Sequence, residues 1–268
     1  MIPGLGTTIE PILAAVLDPR VTDVTEQTLS GRQFTLLSGD EEAKRLGILL
    51  VGSSDLTVVI TDPDRPVGNV RVLSHGKNNV IYFDNANWEG QFQVSVRMLG
   101  SDSVCFFNDI GGGYVAISDL LMRGDAQLLY WGVGASAVSV SMEIEGTGRC
   151  FAIGDDALIS NGVWIRNYDM HSIHDLRSGR QVNRDAVSTV LERHVWLGQD
   201  ALLLGCERIG MGTIVGARSL VKGEIPPRTL VAGTPARVIR EGTSWGRHPY
   251  GMTAAERRAI GLSERPGA

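Results

Sequence analysis

The sequence predicts an all-β protein built as a parallel solenoid, with short helical segments at its ends. Two observations indicate stacked coils: short apolar runs recur at a nearly constant spacing, and a six-residue repeat follows them. A third is composition, because 33 of 268 residues are glycine, about 12% against roughly 7% in average proteins. Many turns between short strands are implied, and the 43% hydrophobic content is enough for a core.

The first repeat occupies residues 51–150. It consists of runs of four or five residues, rich in β-branched or aromatic side chains and bounded by Gly, Asn, Asp or Ser. Such runs indicate strands followed by turns. Their equivalent positions are Ile60, Phe83, Phe107, Trp131 and Ile153, which lie 23, 24, 24 and 22 residues apart. A spacing this regular predicts coils stacked on one another.

A finer period of six residues begins at Ile153. Aliphatic residues take its first position at Ile153, Ile159, Ile165, Leu191, Leu197, Leu203, Ile209, Val215 and Val221. Each hexapeptide fits one flat face of a triangular solenoid, with its first residue pointing inward and its turn residues forming a corner. Three hexapeptides make a coil, and coils about 4.8 Å apart pair in parallel. The alternative, a β-sandwich with coincidental spacing, is disfavoured because the six aliphatic positions from Leu191 to Val221 fall consecutively in register.

The two ends do not repeat and are predicted to cap the solenoid. Residues 8–17 and 40–47 have a helix-like composition, and residues 253–261 indicate a short helix that stops at Gly261. The predicted organisation is an N-terminal cap segment at 1–50, a solenoid domain at 51–240 and a C-terminal tail with a short helix at 241–268.

Composition also excludes several classes of function. The formal net charge is only −5, so no strong field favours nucleic acid or an anionic membrane. Glu10 and Pro11 interrupt the apolar residues near the N-terminus, so we expect no membrane insertion and no signal peptide. Cys105, Cys150 and Cys206 are far apart and form no CxxC motif, which favours a reducing, cytoplasmic location and no metal site.

The six-residue pattern breaks once. Leu191 follows Ile165 by 26 positions, which is not a multiple of six, and the polar stretch at 166–190 must leave the prism as a loop. It contains His171 and His174, with Asp169 and Asp175 beside them. Loops on rigid scaffolds often carry chemistry, so this loop is the candidate active site. A metal site is disfavoured, because HxxH without a third ligand is incomplete.

A second signal lies downstream, in the V-W-L-G sequence at 195–198, the segment at 216–227 and the segment at 230–240. Together they resemble the hexapeptide-repeat acyltransferases. The loop sequence Tyr168–Ile173 resembles the D-x-H-S-I segment of members that O-acetylate sugars or polysaccharides. The resemblance implies a left-handed parallel β-helix, against the general preference for right-handed crossovers.

The resemblance also implies a mechanism. In this family a loop histidine is the general base, acetyl-CoA is the acyl donor, and homotrimers place the active site between neighbouring prisms. His171 matches the base, and Trp196 matches a tryptophan near the pantetheine arm. The residues that match segments lining the CoA groove are Gly216, Ala217, Lys222, Pro235, Arg237 and Arg240. His174 has no counterpart.

Acetyl transfer to a hydroxyl needs a base, and a neutral imidazole suits that task near pH 7. The second ring nitrogen of His171 needs a partner, for which Asp169 is the nearest carboxylate, although a backbone carbonyl would also serve. A backbone N–H of the Leu197–Gly198 turn is a candidate for stabilising the oxyanion, because glycine permits close backbone approach. Lys222, Arg237 and Arg240 could neutralise the CoA phosphates, and small residues leave room for the pantetheine arm.

The sequence leaves the acceptor open among a sugar, a nucleotide sugar and an oligosaccharide. It also leaves the acyl chain length open. One alternative is N-acetyl or other acyl transfer to an amino sugar. Another is a solenoid that binds ligands without catalysis.

Overall fold

The structure, a computed structural model, describes residues 34–263 apart from 38, 53–54, 88, 111–112 and 184. The stretch at 8–17, for which the sequence indicates a helix, lies outside the described residues. The helices are α1 (Asp40–Arg45) and α2 (Ala254–Ala259). The strands are β1 (Thr35–Leu36), β2 (Ile48–Val51), β3 (Leu56–Ile60), β4 (Asn69–Ser74), β5 (Asn79–Phe83), β6 (Phe92–Met98), β7 (Val104–Phe107), β8 (Val115–Arg123), β9 (Leu128–Trp131), β10 (Ser136–Glu145), β11 (Cys150–Ile153), β12 (Leu158–Ile159), β13 (Val163–Arg166), β14 (Thr189–Leu191), β15 (Trp196–Leu197), β16 (Leu202–Ile209), β17 (Ile214–Val215), β18 (Leu220–Ile225), β19 (Thr229–Gly233) and β20 (Ala236–Glu241).

These strands stack in parallel to form a three-faced solenoid. On the first face, the inward residues pair from coil to coil in the order Ile60, Phe83, Phe107, Trp131, Ile153, Leu191, Ile209 and Ile225. This column contains every equivalent position of the long repeat and continues into the hexapeptides. The stacked-coil prediction is therefore confirmed in its register.

The other two faces follow the same rule in the hexapeptide region. The second face pairs Ile159, Leu197, Val215 and Val231. The third face pairs Ile165, Leu203 and Val221. Each of these side chains is fully buried, as expected for the inward position of a six-residue repeat.

The longer coils of 22 to 24 residues are built differently. In β6, β8 and β10 a single strand carries both the second and the third face, and the pairings shift register where the strand bends, for example between Val94 and Val96. Such bulges insert extra residues and bend the strand. The first half of β10 pairs with β12 and the second half with β13, so the two faces separate in the following coil.

The interior of the solenoid changes character along its axis. In the longer coils the rings of Phe83 and Phe107 stack with centroids 5.4 Å apart, and Phe92 meets both rings edge-on. In the hexapeptide coils the inward residues are aliphatic. The wider coils thus contain aromatic rings, whereas the narrower coils are filled by Ile, Leu and Val.

Both described ends depart from the parallel stack. At one end β1 pairs antiparallel with β3, and α1 precedes β2. At the other end β19 and β20 form an antiparallel hairpin. The terminal helix α2 begins with a capping box between Thr253 and Glu256, which satisfies donors of its first turn. The short helical caps are confirmed in the described chain.

Residues 243–263, here called the C-terminal strap, run back along the corner between the first and second faces. Thr243 N donates to Arg228 O at 2.9 Å, and the Ser244 hydroxyl donates to Gly212 O at 2.7 Å. Further along, Arg247 donates to Gly134 O at 3.0 Å. The strap therefore ties several coils together. Within the described residues, no helix has the length and apolarity needed to cross a bilayer.

Candidate active site

The polar loop leaves the solenoid after β13 and returns at β14. Asn167 fixes both of its ends, and this side chain is buried. Its carbonyl oxygen accepts from Glu145 N at 2.9 Å, and its amide nitrogen donates to Glu145 O at 3.0 Å and to Val187 O at 2.7 Å. One amide side chain thus joins the beginning and the end of the loop to the coil above.

The loop is an ordered arm. Val182 N donates to Ile173 O at 2.7 Å, which pairs its two sides. Asn183 accepts from Ile173 N at 3.0 Å and donates to His171 O at 3.0 Å. Asn183 therefore sets the backbone position from which the imidazole of His171 projects.

His171 is exposed, and among the described contacts its imidazole ring makes no hydrogen bond. Asp169 is half-buried and makes no hydrogen bond to that ring. The other loop histidine, His174, has ring contacts with Ser172 Oγ at 3.1 Å and Gly179 O at 3.4 Å. His171 is therefore the loop imidazole with both ring nitrogens open to a substrate.

A cavity of about 510 Å³ lies at the base of the loop. Its lining includes Tyr168, Asp169 and Lys222, so the fold brings the loop carboxylate and the β18 lysine to one space. The Tyr168 hydroxyl donates to Glu143 Oε2 at 3.3 Å. Burial, opposed by the nearby charge of Arg123, raises the pKa of Tyr168, so this phenol stays protonated at neutral pH.

A second group of the predicted residues lies along the corner between the second and third faces. Gly198 is in one coil and Gly216 and Ala217 are in the next. A Cβ on Gly198 would lie 2.7 Å from Ala217 N, and one on Gly216 would lie 2.9 Å from the Cβ of Ala232. Pro235 follows in the terminal hairpin, where the Thr234–Pro235 peptide is cis. Small residues are therefore required where successive coils approach closely.

The backbone of Gly198 corrects one expectation from the sequence. Its N–H donates to Val215 O at 2.8 Å as part of the coil-to-coil ladder. This donor is therefore already used, and it is not available to an oxyanion. Gly198 contributes a close backbone approach at the corner, as its lack of a side chain predicts.

Trp196 lies beside this corner on the second face and is half-buried. Its indole nitrogen donates to Ser160 Oγ at 3.2 Å. Its ring packs against Trp245 of the C-terminal strap, with centroids 5.9 Å apart and planes tilted by 51°. One face of the solenoid thus presents an indole that is held from two sides.

The three basic residues predicted for CoA phosphates occupy two places. Lys222 lines the loop cavity, whereas Arg237 and Arg240 are exposed on β20 and do not line it. The Arg237 guanidinium donates to its neighbour Ala236 O at 2.9 Å. The hairpin arginines are therefore grouped with Pro235 rather than with Lys222.

Two residues of these surfaces were not selected from the sequence. Tyr168 lines the loop cavity and directly precedes the D-x-H segment, a position that could have identified it. Arg218 follows Ala217 with a left-handed backbone, φ +57°, and is 83% exposed at the side chain. Its place directly after Gly216 and Ala217 in the 216–227 segment could have identified it.

In the part of the chain that the structure describes, no three His, Cys, Asp or Glu side chains lie close enough together to hold a metal ion. The three cysteines are buried, and no disulfide bond joins them.

No protein-family model matches the chain. Its sequence is 35% identical over 96 residues to the putative lipopolysaccharide biosynthesis O-acetyl transferase WbbJ of Escherichia coli K12. This match covers 33% of this chain and 49% of that protein. It is also 35% identical over 103 residues to the polysialic acid O-acetyltransferase of Neisseria meningitidis, covering 38% and 47% of the two chains. The chain thus spans about half the length of these relatives.

The fold is shared with a solved structure, that of the polysialic acid O-acetyltransferase OatWY. The TM-score is 0.54 at 22% sequence identity, and the match covers 78% of this chain and 92% of that chain. The predicted left-handed parallel β-helix is thereby confirmed. The resemblance to hexapeptide-repeat acyltransferases, seen first in the sequence motifs, is confirmed as well.

Proposed function

From this resemblance to hexapeptide-repeat O-acetyltransferases, we propose that the chain transfers an acetyl group from acetyl-CoA to a hydroxyl of a sugar or polysaccharide. The observation that carries the proposal is the ordered loop, which presents an exposed His171 imidazole that makes no hydrogen bond among the described residues. The relatives named O-acetyltransferases supply the reaction type.

In this proposal His171 is the general base. A neutral imidazole with both nitrogens unoccupied can accept the acceptor hydroxyl proton while that oxygen attacks the thioester carbonyl. The proton then passes to the departing CoA sulfur as the tetrahedral intermediate breaks down. Asp169 lies two residues away at the base of the loop and is proposed to orient the imidazole once substrate is bound.

The donor is proposed to lie along the corner formed by Gly198, Gly216 and Ala217. We propose this place because the three residues have small side chains or none, and because Trp196 flanks them. Lys222, Pro235, Arg237 and Arg240 complete the proposed donor set. Lys and Arg side chains suit the phosphates of CoA.

A homotrimer is part of the proposal. The loop arm carries apolar side chains that are exposed in one chain, among them Ile173, Val182 and Leu176, the last 96% exposed. Apolar side chains grouped on a protruding arm suit contact with a neighbouring copy. We expect light scattering to report three chains per particle. A cytoplasmic location is also proposed, since no disulfide bond joins the three cysteines.

The proposal is tested by incubating the protein with acetyl-CoA and a panel of nucleotide sugars and oligosaccharides, while measuring release of free thiol. The variant His171→Ala should keep the fold and the affinity for CoA, yet lose at least about 100-fold in turnover. His174→Ala is the matched control, because it removes a second imidazole from the same arm.

Near-normal turnover in His171→Ala would assign the base elsewhere. Thiol release with amino sugars alone would replace O-acetylation with N-acetylation. An absence of CoA binding by the unmodified protein would overturn the proposed function and favour a solenoid that acts only in binding.

A further inference from the structure

His194 is fully buried at the corner between the first and second faces, in a left-handed conformation with φ +58°. Its Nδ1 lies 2.7 Å from Asp156 Oδ2, and its Nε2 lies 2.8 Å from Trp245 O. A backbone carbonyl can only accept a hydrogen bond. A neutral imidazole has one donor and one acceptor nitrogen, so it satisfies both contacts only if Asp156 itself supplies a proton.

Asp156 is poorly suited to supply that proton. Its second oxygen, Oδ1, accepts from Arg247 Nε at 2.6 Å. Burial opposes its ionisation, but the hydrogen bond to His194 and the charge of Arg247 outweigh this effect and hold the pKa of Asp156 below its ordinary value. Asp156 is therefore the anion, and both protons belong to His194.

Further titratable groups line the cavity beside this cluster, namely Asp155 and Arg193 from the solenoid and His248 and Glu256 from the strap. Glu256 is buried, and it accepts from Arg247 N at 2.7 Å and Thr253 N at 2.6 Å. Asp156 and Glu256 thus place two carboxylates beside His194 and Arg247. A buried imidazolium in this setting is compensated in charge and bonded at both nitrogens, which buried charges require.

Trp245 ties this cluster to the second face. Its ring stacks on His194 with centroids 4.2 Å apart and planes 5° apart, and its Nε1 donates to His194 O at 2.9 Å. The two residues are 51 positions apart in sequence and bond each other reciprocally, ring nitrogen to backbone carbonyl in both directions. Trp245 also packs against the ring of Trp196, with centroids 5.9 Å apart.

We infer that His194 is held as an imidazolium that latches the C-terminal strap onto the solenoid, and that the latched Trp245 fixes the indole of Trp196 in the orientation that the donor site needs. His194 and Trp245 are positioning residues in this scheme. The latch rests on the contacts of His194 with Asp156 and Trp245, whereas its effect on donor binding rests on the proposed function.

The latch is tested on the full chain by ¹⁵N NMR of the histidine rings at pH 7. Both ring nitrogens of His194 should carry protons. The resonance is assigned by its loss in His194→Asn, a variant chosen because asparagine tolerates the left-handed backbone and keeps only one donor group. A His194 ring with a single protonated nitrogen would overturn the latch.

Limited trypsin digestion measures strap release. We expect cleavage at Arg247, Arg257 and Arg258 to be at least about tenfold faster in His194→Asn, since opening governs cleavage of a docked segment. Trp245→Phe, which keeps a stacking ring but lacks the N–H donor, should show an intermediate increase. His248→Ala is the matched control: its ring makes no hydrogen bond among the described contacts, so its digestion should be unchanged. Equal cleavage of all four proteins would contradict the latch.

Kinetics measure the positioning role. In both latch variants the KM for acetyl-CoA should rise about tenfold while kcat stays within about twofold, because ground-state donor binding is lost rather than chemistry. A confirmed latch with an unchanged KM would overturn the positioning of Trp196. If no acceptor supports turnover even in the unmodified protein, the proposed function fails, while NMR and digestion still decide the latch.

Discussion

Gly198 illustrates how little space separates one coil from the next at a corner. Its position two residues after Trp196 suggests a role in stabilising an oxyanion. Its N–H, however, already donates to Val215 O in the coil-to-coil hydrogen bonds. What the residue supplies is the absence of a Cβ, which would lie 2.7 Å from two backbone atoms of the next coil. Both neighbours are main chain, so neither can move aside without displacing a coil.

Gly198→Ala should therefore destabilise the protein by about 1 to 3 kcal/mol through overpacking. Denaturant unfolding followed by circular dichroism measures the change. Gly39→Ala is the control, since a Cβ there meets no atom within 4 Å, and its stability should stay within about 0.5 kcal/mol of the unmodified protein. Equal stability of both variants would show that the corner relaxes freely.

The loop is an element whose position depends on one buried side chain. Asn167 was not selected from the sequence, where it is one polar residue among many. Its importance appears only when Glu145 and Val187, which are distant in sequence, meet at the same amide. Because each half of that amide has a backbone partner, no apolar substitute preserves the arrangement.

Asn167→Ala should lower the free energy of unfolding by about 3 kcal/mol, because partly buried backbone groups at Glu145 and Val187 lose the hydrogen bonds to its amide. The loop should also become sensitive to trypsin at Arg177 and Arg180. Asn161→Ala, at an exposed corner of the same coil, serves as the control and should change neither property. Resistance of the loop to trypsin in the first variant would mean that the arm is held by other contacts.

The strap is the second element with a distinct prediction, in its response to acid. The pKa values of Asp156 and Glu256 are lowered from 3.8 and 4.5. For each carboxyl, burial opposes the shift and hydrogen bonds to the charged form outweigh it. The two carboxylates therefore contribute their full stabilisation of the folded protein at pH values above their ordinary pKa values. This contribution is lost as the pH falls through their lowered pKa values in the folded protein.

We expect the strap to be released only at pH values below the ordinary pKa range of carboxyl groups. The fluorescence of Trp245 measures this release without a protease. Asp156→Asn should release the strap already at neutral pH. Asp175→Asn is the control: the pKa of Asp175 is also lowered, by hydrogen bonds from Ser178 and Arg177, but within the exposed loop. An acid transition near neutral pH would contradict the assignment of these carboxylates.

At the scale of the whole molecule, the aromatic stack in the longer coils should dominate stability. Phe107 is fully buried between Phe83 and Phe92. Phe107→Ala should cost about 3 to 5 kcal/mol, since a large cavity in a stacked core cannot collapse without moving coils. Tyr114→Ala, which removes an exposed ring, should cost less than about 0.5 kcal/mol. Chemical denaturation compares the two, and similar losses would refute a dominant core stack.

The sequence predicted which inward residues stack on one another, because the spacing of the repeat determines the register between successive coils. Ile60, Phe83 and Leu197 each occupy the expected column. It did not predict that β6, β8 and β10 bend continuously across two faces, because β-bulges produce no repeating pattern in the sequence. The pairing of His194 with Trp245 was equally hidden, since the strap has no repeat and its contacts are set by three-dimensional proximity.

For the site, the sequence identified the loop and its imidazole from a break in the pattern. It could not show that Tyr168 and Lys222 share a cavity, because that depends on how β13 and β18 stack. Nor could it show that Asp169 makes no hydrogen bond to the His171 ring. Side-chain orientation within a polar loop depends on contacts such as those of Asn183, which no spacing rule specifies.

The reversed strand direction of β1 and β20 has a consequence for the behaviour of the protein in concentrated solution. A column of identical parallel layers offers open hydrogen-bonding groups at each end, onto which another molecule's layer could add without limit. Here β1 covers the first layer of one face and β20 covers the last layer of another, each running against the stack. We expect these reversed strands to disfavour end-to-end addition of further layers, and removal of either strand by shortening the chain should promote it.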